Sequence, residues 1–169
     1  MSFIGIICTP KQERYIKQIL NSSISSNIIL LKEENIDNFK NITFETIAIF
    51  SNKSNAFKKK ETMLKILQKA KYIIINADEE IIVEGIENIK SNIISYGFNT
   101  KSTVTASSVD DDSMLICLQR AITSRIGNKI EEQEILIPIG QECKANATTI
   151  MGVIAILLVY EKQEIKVRI

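Results

Sequence analysis

"FIGIICTPKQERYIKQIL", residues 3 to 20, is an apolar run, a short polar loop and then a stretch in which Tyr15, Ile16, Ile19 and Leu20 fall close to one helical face. The order strand, loop, helix returns further along. "NIILL" (27–31) leads into "EENIDNFKN", "FETIAIF" (44–50) into "NAFKKKETMLKILQKA", and "KYIIINA" (71–77) into "EEIIVEGIENIK", before "NIISYGF" (92–98) closes the series. Nearly continuous apolar strands joined through amphipathic stretches suit a parallel sheet covered on both faces, with right-handed crossovers. The predicted fold class is therefore α/β: three layers, a mainly parallel central sheet and helices on both faces.

The pattern changes after residue 100. "STVTASSV" (102–109) and "SMLICLQRAI" (113–122) flank "DDD" (110–112), which reads as a hairpin turn between antiparallel strands. "QEILIPI" (133–139) carries Pro138 and so belongs at a sheet edge. Asn146, Ala147 and Thr148 offer a start for the apolar helix 149–160, and "EIKVRI" (164–169) reads as a last strand. The predicted organisation is one domain, 1–169, with an α/β part over 1–100, a small antiparallel extension over 101–140 and a closing helix and tail over 141–169.

Composition narrows the chemistry. The chain has 169 residues, 45% of them hydrophobic and 24% charged, enough for one domain with a sizeable core. A net charge of +1 with interleaved signs gives no electrostatic case for nucleic acid or an anionic membrane surface. The basic run "KSNAFKKK" (53–60) reads as a solvated face beside Glu61. "IMGVIAILLVY" (150–160) is too short to span a bilayer and reads as a core helix, and the N-terminus lacks a signal-peptide pattern. Three dispersed cysteines, Cys8, Cys117 and Cys143, fit free thiols in a reducing cytoplasm. Histidine is absent, which removes Ser-His-Asp and Cys-His nucleophile pairs and leaves too few ligands for zinc.

The candidate sites lie where strands end. A helix starting after a buried strand presents free N–H groups that favour phosphate. Yet "CTPKQE" (8–13) has no glycine to let the backbone curl, Pro10 removes a donor, and Glu13 places a negative charge in the first turn. Cys8 ends the first strand near a helix N-terminus, a setting that lowers thiol pKa, but a buried structural cysteine is the simpler reading. Asp78, Glu79 and Glu80 follow another strand and read either as a ligand edge or as a helix N-cap, Asp78, with favourable charges in the first turn. "DDD" could hold a divalent ion, but adjacent carboxylates diverge, and a solvated turn is the simpler reading. Gly97 in "SYGFN" reads as a turn needing positive φ. The hydroxyls of "TVTASS" (103–108) are ordinary for an exposed strand face.

The order of elements, with "FIGIICTPKQERYIKQIL", "NADEE" (76–80), "ISYGFN" (94–99) and the closing helix, resembles the central ATP-binding domain of the Mur ligases, which add amino acids to the peptidoglycan precursor. The likeness covers nearly the whole chain. In that family the opening strand runs into "IGITGTNGKTT". Gly5, Ile6 and Thr9 fit this pattern, but Cys8 and Lys11 fall where its loop glycines belong, Gln12 where its lysine belongs and Glu13 where its first hydroxyl belongs. The family's His-Asn pair and purine-contacting asparagine would fall within "ATTIM" (147–151), which holds neither residue type.

The resemblance thus implies the family's skeleton without its phosphate-handling chemistry, on which phosphoryl transfer depends for positioning and charge stabilisation. The expected function is a non-catalytic protein-interaction or regulatory module linked to cell-wall synthesis. No catalytic residue, metal or cofactor is expected. The alternatives are a nucleotide or small-molecule binder, or an enzyme of another type, using Thr9, Lys11, Gln12, Asn76, Asp78 and Glu79 at the carboxyl ends of the strands. A protein partner of unknown identity is expected, and pairing of "EIKVRI" across a two-fold axis would make a homodimer.

Overall fold

A computed structural model describes residues 2–80, 85–141 and 143–162. The first half builds strands β1 (Phe3–Ile7), β2 (Asn27–Leu30), β3 (Thr46–Ile49), β4 (Tyr72–Asn76) and β5 (Asn92–Tyr96), with helices α1 (Pro10–Ser23) and α2 (Lys60–Lys69). The second half adds β6 (Val104–Val109), β7 (Ser113–Leu118), β8 (Ile122–Thr123), β9 (Lys129–Ile130), β10 (Gln133–Pro138) and helix α3 (Ala147–Val159). Eight strands form one sheet in the order β10-β7-β6-β5-β4-β3-β1-β2, and β8 and β9 form a separate antiparallel pair. Pairing is parallel from β2 through β6 and antiparallel across β6–β7 and β7–β10.

Strand alternation sorts the isoleucines into two cores. Ile4, Ile6, Ala48, Tyr72, Ile74, Ile94 and Tyr96 face α1 and α3, while Ile7, Ile47, Ile49, Ile73 and Ile75 face α2 and the turn at Ile36–Phe39. This is the period-2 consequence of strands buried on both faces, and it confirms the three-layer α/β reading. Helix α3 is buried from Thr149 to Val159, so it lies inside the domain instead of on its surface. Asn146 caps it, accepting the Thr149 N–H at 2.8 Å. Among the described residues no helix is long and apolar enough to cross a membrane.

Several local expectations hold. Asp110 N–H donates to the Ser113 carbonyl at 2.9 Å, closing the acidic turn, and Pro138 sits on the edge strand β10. Gly97 has φ +140°. The basic run is a solvated face: Lys58 pairs with Glu33 and Lys59 with Asp37.

Others need correction. "EENIDNFKN" folds only into the 3-10 turn Ile36–Phe39, because the Asn35 side chain takes the Lys32 N–H at 2.8 Å and donates to the Leu30 carbonyl at 2.9 Å, competing with helical bonding. The stretch read as one strand over 113–122 stops at Leu118, and Ile122 turns away to pair with Ile130. Of "EEIIVEGIENIK", residues 81–84 lie outside the described residues, and 86–88 form a 3-10 turn after Gly85. The strand "EIKVRI" and the homodimer built on it also lie outside the described residues.

Candidate functional site

The carboxyl ends of β1, β3, β4 and β5 meet at one edge, and the candidate residues gather there in two groups. The first is the β1–α1 loop. Pro10 occupies the first helical position, where its missing N–H is no loss and its φ suits the helix. Thr9 is the N-cap, and its backbone N–H donates to Gln12 Oε1 at 3.0 Å, as does its hydroxyl at 3.0 Å. Gln12 Nε2 reaches the other way, to the Phe50 carbonyl and to Thr149 Oγ1, each at 3.4 Å. These two contacts are long, but they orient the carboxamide across the loop toward the end of β3 and the start of α3. Lys11, by contrast, is exposed and points to no partner in this group.

Glu13 turns outward into an ion cluster, 3.0 Å from Lys32 Nζ and 3.1 Å from Lys17 Nζ. The Lys32 hydrogen bond above all, helped by the one from Lys17, holds its carboxyl below the usual range despite the cost of desolvation. Burial, then the nearby Glu13 charge, pushes the Cys8 thiol up to about 11, outweighing Lys32 and Lys17. This favours the structural-cysteine reading over that of a thiol with lowered pKa.

The second group follows β4. Asn76 is buried and its Oδ1 accepts the Asp78 N–H at 3.0 Å, an Asx turn that brings the chain off the sheet. Asp78 caps no helix, contrary to the sequence reading; its carboxylate accepts the Phe98 and Asn99 N–H groups, each at 2.8 Å, and so ties β4 to the turn after β5. Glu79 Oε2 accepts the Asn52 N–H at 2.7 Å, and Asn52 Nδ2 donates to the Glu80 carbonyl at 3.0 Å. Between Asn52, Phe57, Asn76 and Glu79 the structure leaves a cavity of about 20 Å³, room for one water.

The structure therefore brings Thr9 and Gln12 together, and Asn76, Asp78 and Glu79 together, while leaving Lys11 outside both groups. Sequence reasoning missed Phe50, Asn52 and Thr149, which supply the bonding partners of Gln12 and Glu79. For Phe50 and Asn52 the only signal was position, at the carboxyl end of β3 as Asn76 and Asp78 are at that of β4. Among the described residues no group of three or more His, Cys, Asp or Glu side chains is placed to hold a metal ion.

The family model described as the Mur ligase middle domain matches residues 30–157, a segment that begins after the β1–α1 loop. Among solved structures, MurF from Acinetobacter baumannii is similar with a TM-score of 0.58 at 10% sequence identity, over 94% of this chain. That identity speaks for the fold alone, and the chain spans 43% of the MurF chain's length. No curated protein sequence matches. With the family model covering residues 30–157, the chain belongs to the Mur ligase middle domain family.

Proposed function

We propose that this domain is a non-catalytic protein-interaction or regulatory module connected with cell-wall synthesis, and that its β1–α1 loop does not take a nucleotide triphosphate. The observation that supports this most is the Gln12 side chain. It occupies the Thr9 N–H and reaches Phe50 and Thr149, so the loop's own side chain fills the space and the donor that a phosphate would use. Pro10 supplies no N–H, and Glu13 adds negative charge beside the helix start. The link to cell-wall synthesis is drawn from family membership and the likeness to MurF.

The interaction half of the reading is supported by where apolar surface remains. The core facing α2 takes no buried residue beyond Ile75, and the exposed large apolar side chains, Ile93, Phe98, Val109, Ile126 and Leu136, all follow it. On β10, Ile135 and Ile137 pack toward the core that holds α3 while Leu136 between them is exposed, so the other face of this edge strand is open. The rival reading, a nucleotide or small-molecule site at the strand ends, requires both Gln12 and Glu79 to leave their partners.

Titration of the purified protein with ATP and magnesium, followed by thermal unfolding and phosphate release, tests the first half. A ligand at a hundred times its Kd would add about 2.7 kcal/mol of stability; neither a shift nor phosphate release is expected. Saturable ATP binding or turnover would remove the non-catalytic reading. For the second half, affinity capture from cells making peptidoglycan is expected to enrich an enzyme of that pathway, and Leu136→Asp to abolish the enrichment. Capture indifferent to substitutions on the open face would remove the interaction reading.

A further inference from the structure

A further concavity lies at the opposite edge of the sheet, where the parallel strands begin. A cavity of about 550 Å³ opens there between Ser2, Ser26, Asn27, Arg125, Tyr160 and Lys162, within the range of small-molecule sites, about 300–1,000 Å³. Among the described residues its wall carries two cations, Arg125 and Lys162, and no carboxylate; the remaining lining is mostly hydroxyl and amide.

Arg125 is held in place before any ligand arrives. Its backbone N–H donates to the Val159 carbonyl at 2.9 Å, and its own carbonyl accepts Lys71 Nζ at 2.9 Å. The guanidinium lies over the Tyr160 ring, 5.0 Å from the centroid, and Nη1 donates to Glu45 Oε2 at 3.4 Å. A guanidinium has five N–H donors, and a charge-assisted bond is normally about 2.7–2.9 Å long. Among the described residues one long contact therefore leaves most of this donor set unspent. Glu45 also accepts bonds from Ser2 Oγ and from Tyr160 OH, so its charge is shared among three donors. Glu45 lines a neighbouring cavity of about 470 Å³, whose wall shares Ser2 and Arg125 with the larger one.

We infer that the larger cavity binds the oxyanion group, phosphate or carboxylate, of a small hydroxylated molecule. Arg125 and Lys162 meet the oxyanion, since a planar guanidinium matches either group with two parallel donors. Ser26, Asn27 and the Tyr160 hydroxyl meet the hydroxyls. The site lies at the far edge of the sheet from the β1–α1 loop, so it stands or falls independently of the closure of that loop by Gln12.

The test is titration of the native protein with glycerol 3-phosphate, glycerate and, as the neutral control, glycerol, read by thermal unfolding and calorimetry at constant ionic strength. Saturable binding is expected for at least one oxyanion and for no glycerol sample, and the tighter of the two identifies the group. Asn27→Asp places a negative charge on the rim without touching the Arg125 contacts and should weaken binding about tenfold. Arg125→Gln should abolish it. Absence of saturable binding by either oxyanion, equal binding of glycerol, or an affinity in Asn27→Asp within about twofold of the parent would overturn the inference.

Discussion

The Asp78 carboxylate stands where a β-carbon on Gly97 would be: such an atom would lie 2.5 Å from Oδ2 and 2.7 Å from Cγ. The same carboxylate accepts the next two N–H groups, from Phe98 and Asn99. The turn after β5 is therefore built around a side chain from the end of β4, and Gly97, at φ +140°, is the residue that lets the two backbones come this close.

Gly97→Ala should cost about 2 kcal/mol or more, from the contact with Asp78 and the unfavourable φ together. Asp78→Ala, at an exposed position, should cost about 1 kcal/mol through loss of its two bonds. The double variant should cost less than the sum, because removing the carboxylate removes the clash. Urea unfolding of the three proteins measures the coupling, and strict additivity would contradict this account of the turn.

Gly152 plays a comparable part inside α3. An added β-carbon would lie 2.7 Å from a Phe50 ring carbon and 2.8 Å from Tyr96 Cζ, and Tyr96 cannot swing aside easily because its hydroxyl donates to the Ile49 carbonyl at 3.1 Å. A helical glycine replaced by alanine ordinarily gains about 1 kcal/mol of propensity. Here Gly152→Ala is expected to destabilise by about 2 kcal/mol through overpacking, and a neutral or stabilising outcome in thermal unfolding would show that α3 can shift off the sheet.

Cys8 should react slowly with thiol reagents in the native protein at pH 8 and rapidly once unfolded, because its thiol pKa is raised to about 11 by burial and by Glu13. Burial likewise raises Tyr72, Tyr96 and Tyr160 above the usual tyrosine range. Each group keeps its proton longer in the folded than in the unfolded chain. Their contribution is complete below the unfolded values and is lost as pH rises through the folded ones. Stability should therefore start to fall above about pH 9, and Cys8→Ala should flatten the first part of that decline in urea midpoints measured from pH 7 to 11.

Gln12→Ala should cost about 1 kcal/mol, from the loss of its bond to the Thr9 N–H and its longer contacts with Phe50 and Thr149. It should not confer ATP binding, since Pro10 and Glu13 remain at the helix start. Gain of ATP binding by this variant alone would mean that the carboxamide was the sole obstacle. Unfolding midpoints and calorimetry with ATP and magnesium report the two effects separately.

Much of this was legible from local pattern. Runs such as "KYIIINA" and "FETIAIF" announce strands buried on both faces, Pro138 announces an edge, and Asn146 announces the start of α3. The site was only partly legible. "CTPKQE" showed which phosphate-binding features were missing, but nothing nearby in sequence indicated that Gln12 would reach Phe50 and Thr149, or that Asp78 would bind Phe98 and Asn99 instead of capping a helix.

The sequence by itself determined most of the strands, their parallel and then antiparallel order, and the residue types missing from the β1–α1 loop, because these depend on residue spacing and backbone sterics along the chain. Only the tertiary structure decided which polar groups satisfy one another at the strand ends, and how far burial moves the Cys8 thiol. Those outcomes are set by distances between segments far apart in the chain, such as Gln12 and Thr149, which come together only when β1, β3 and α3 pack.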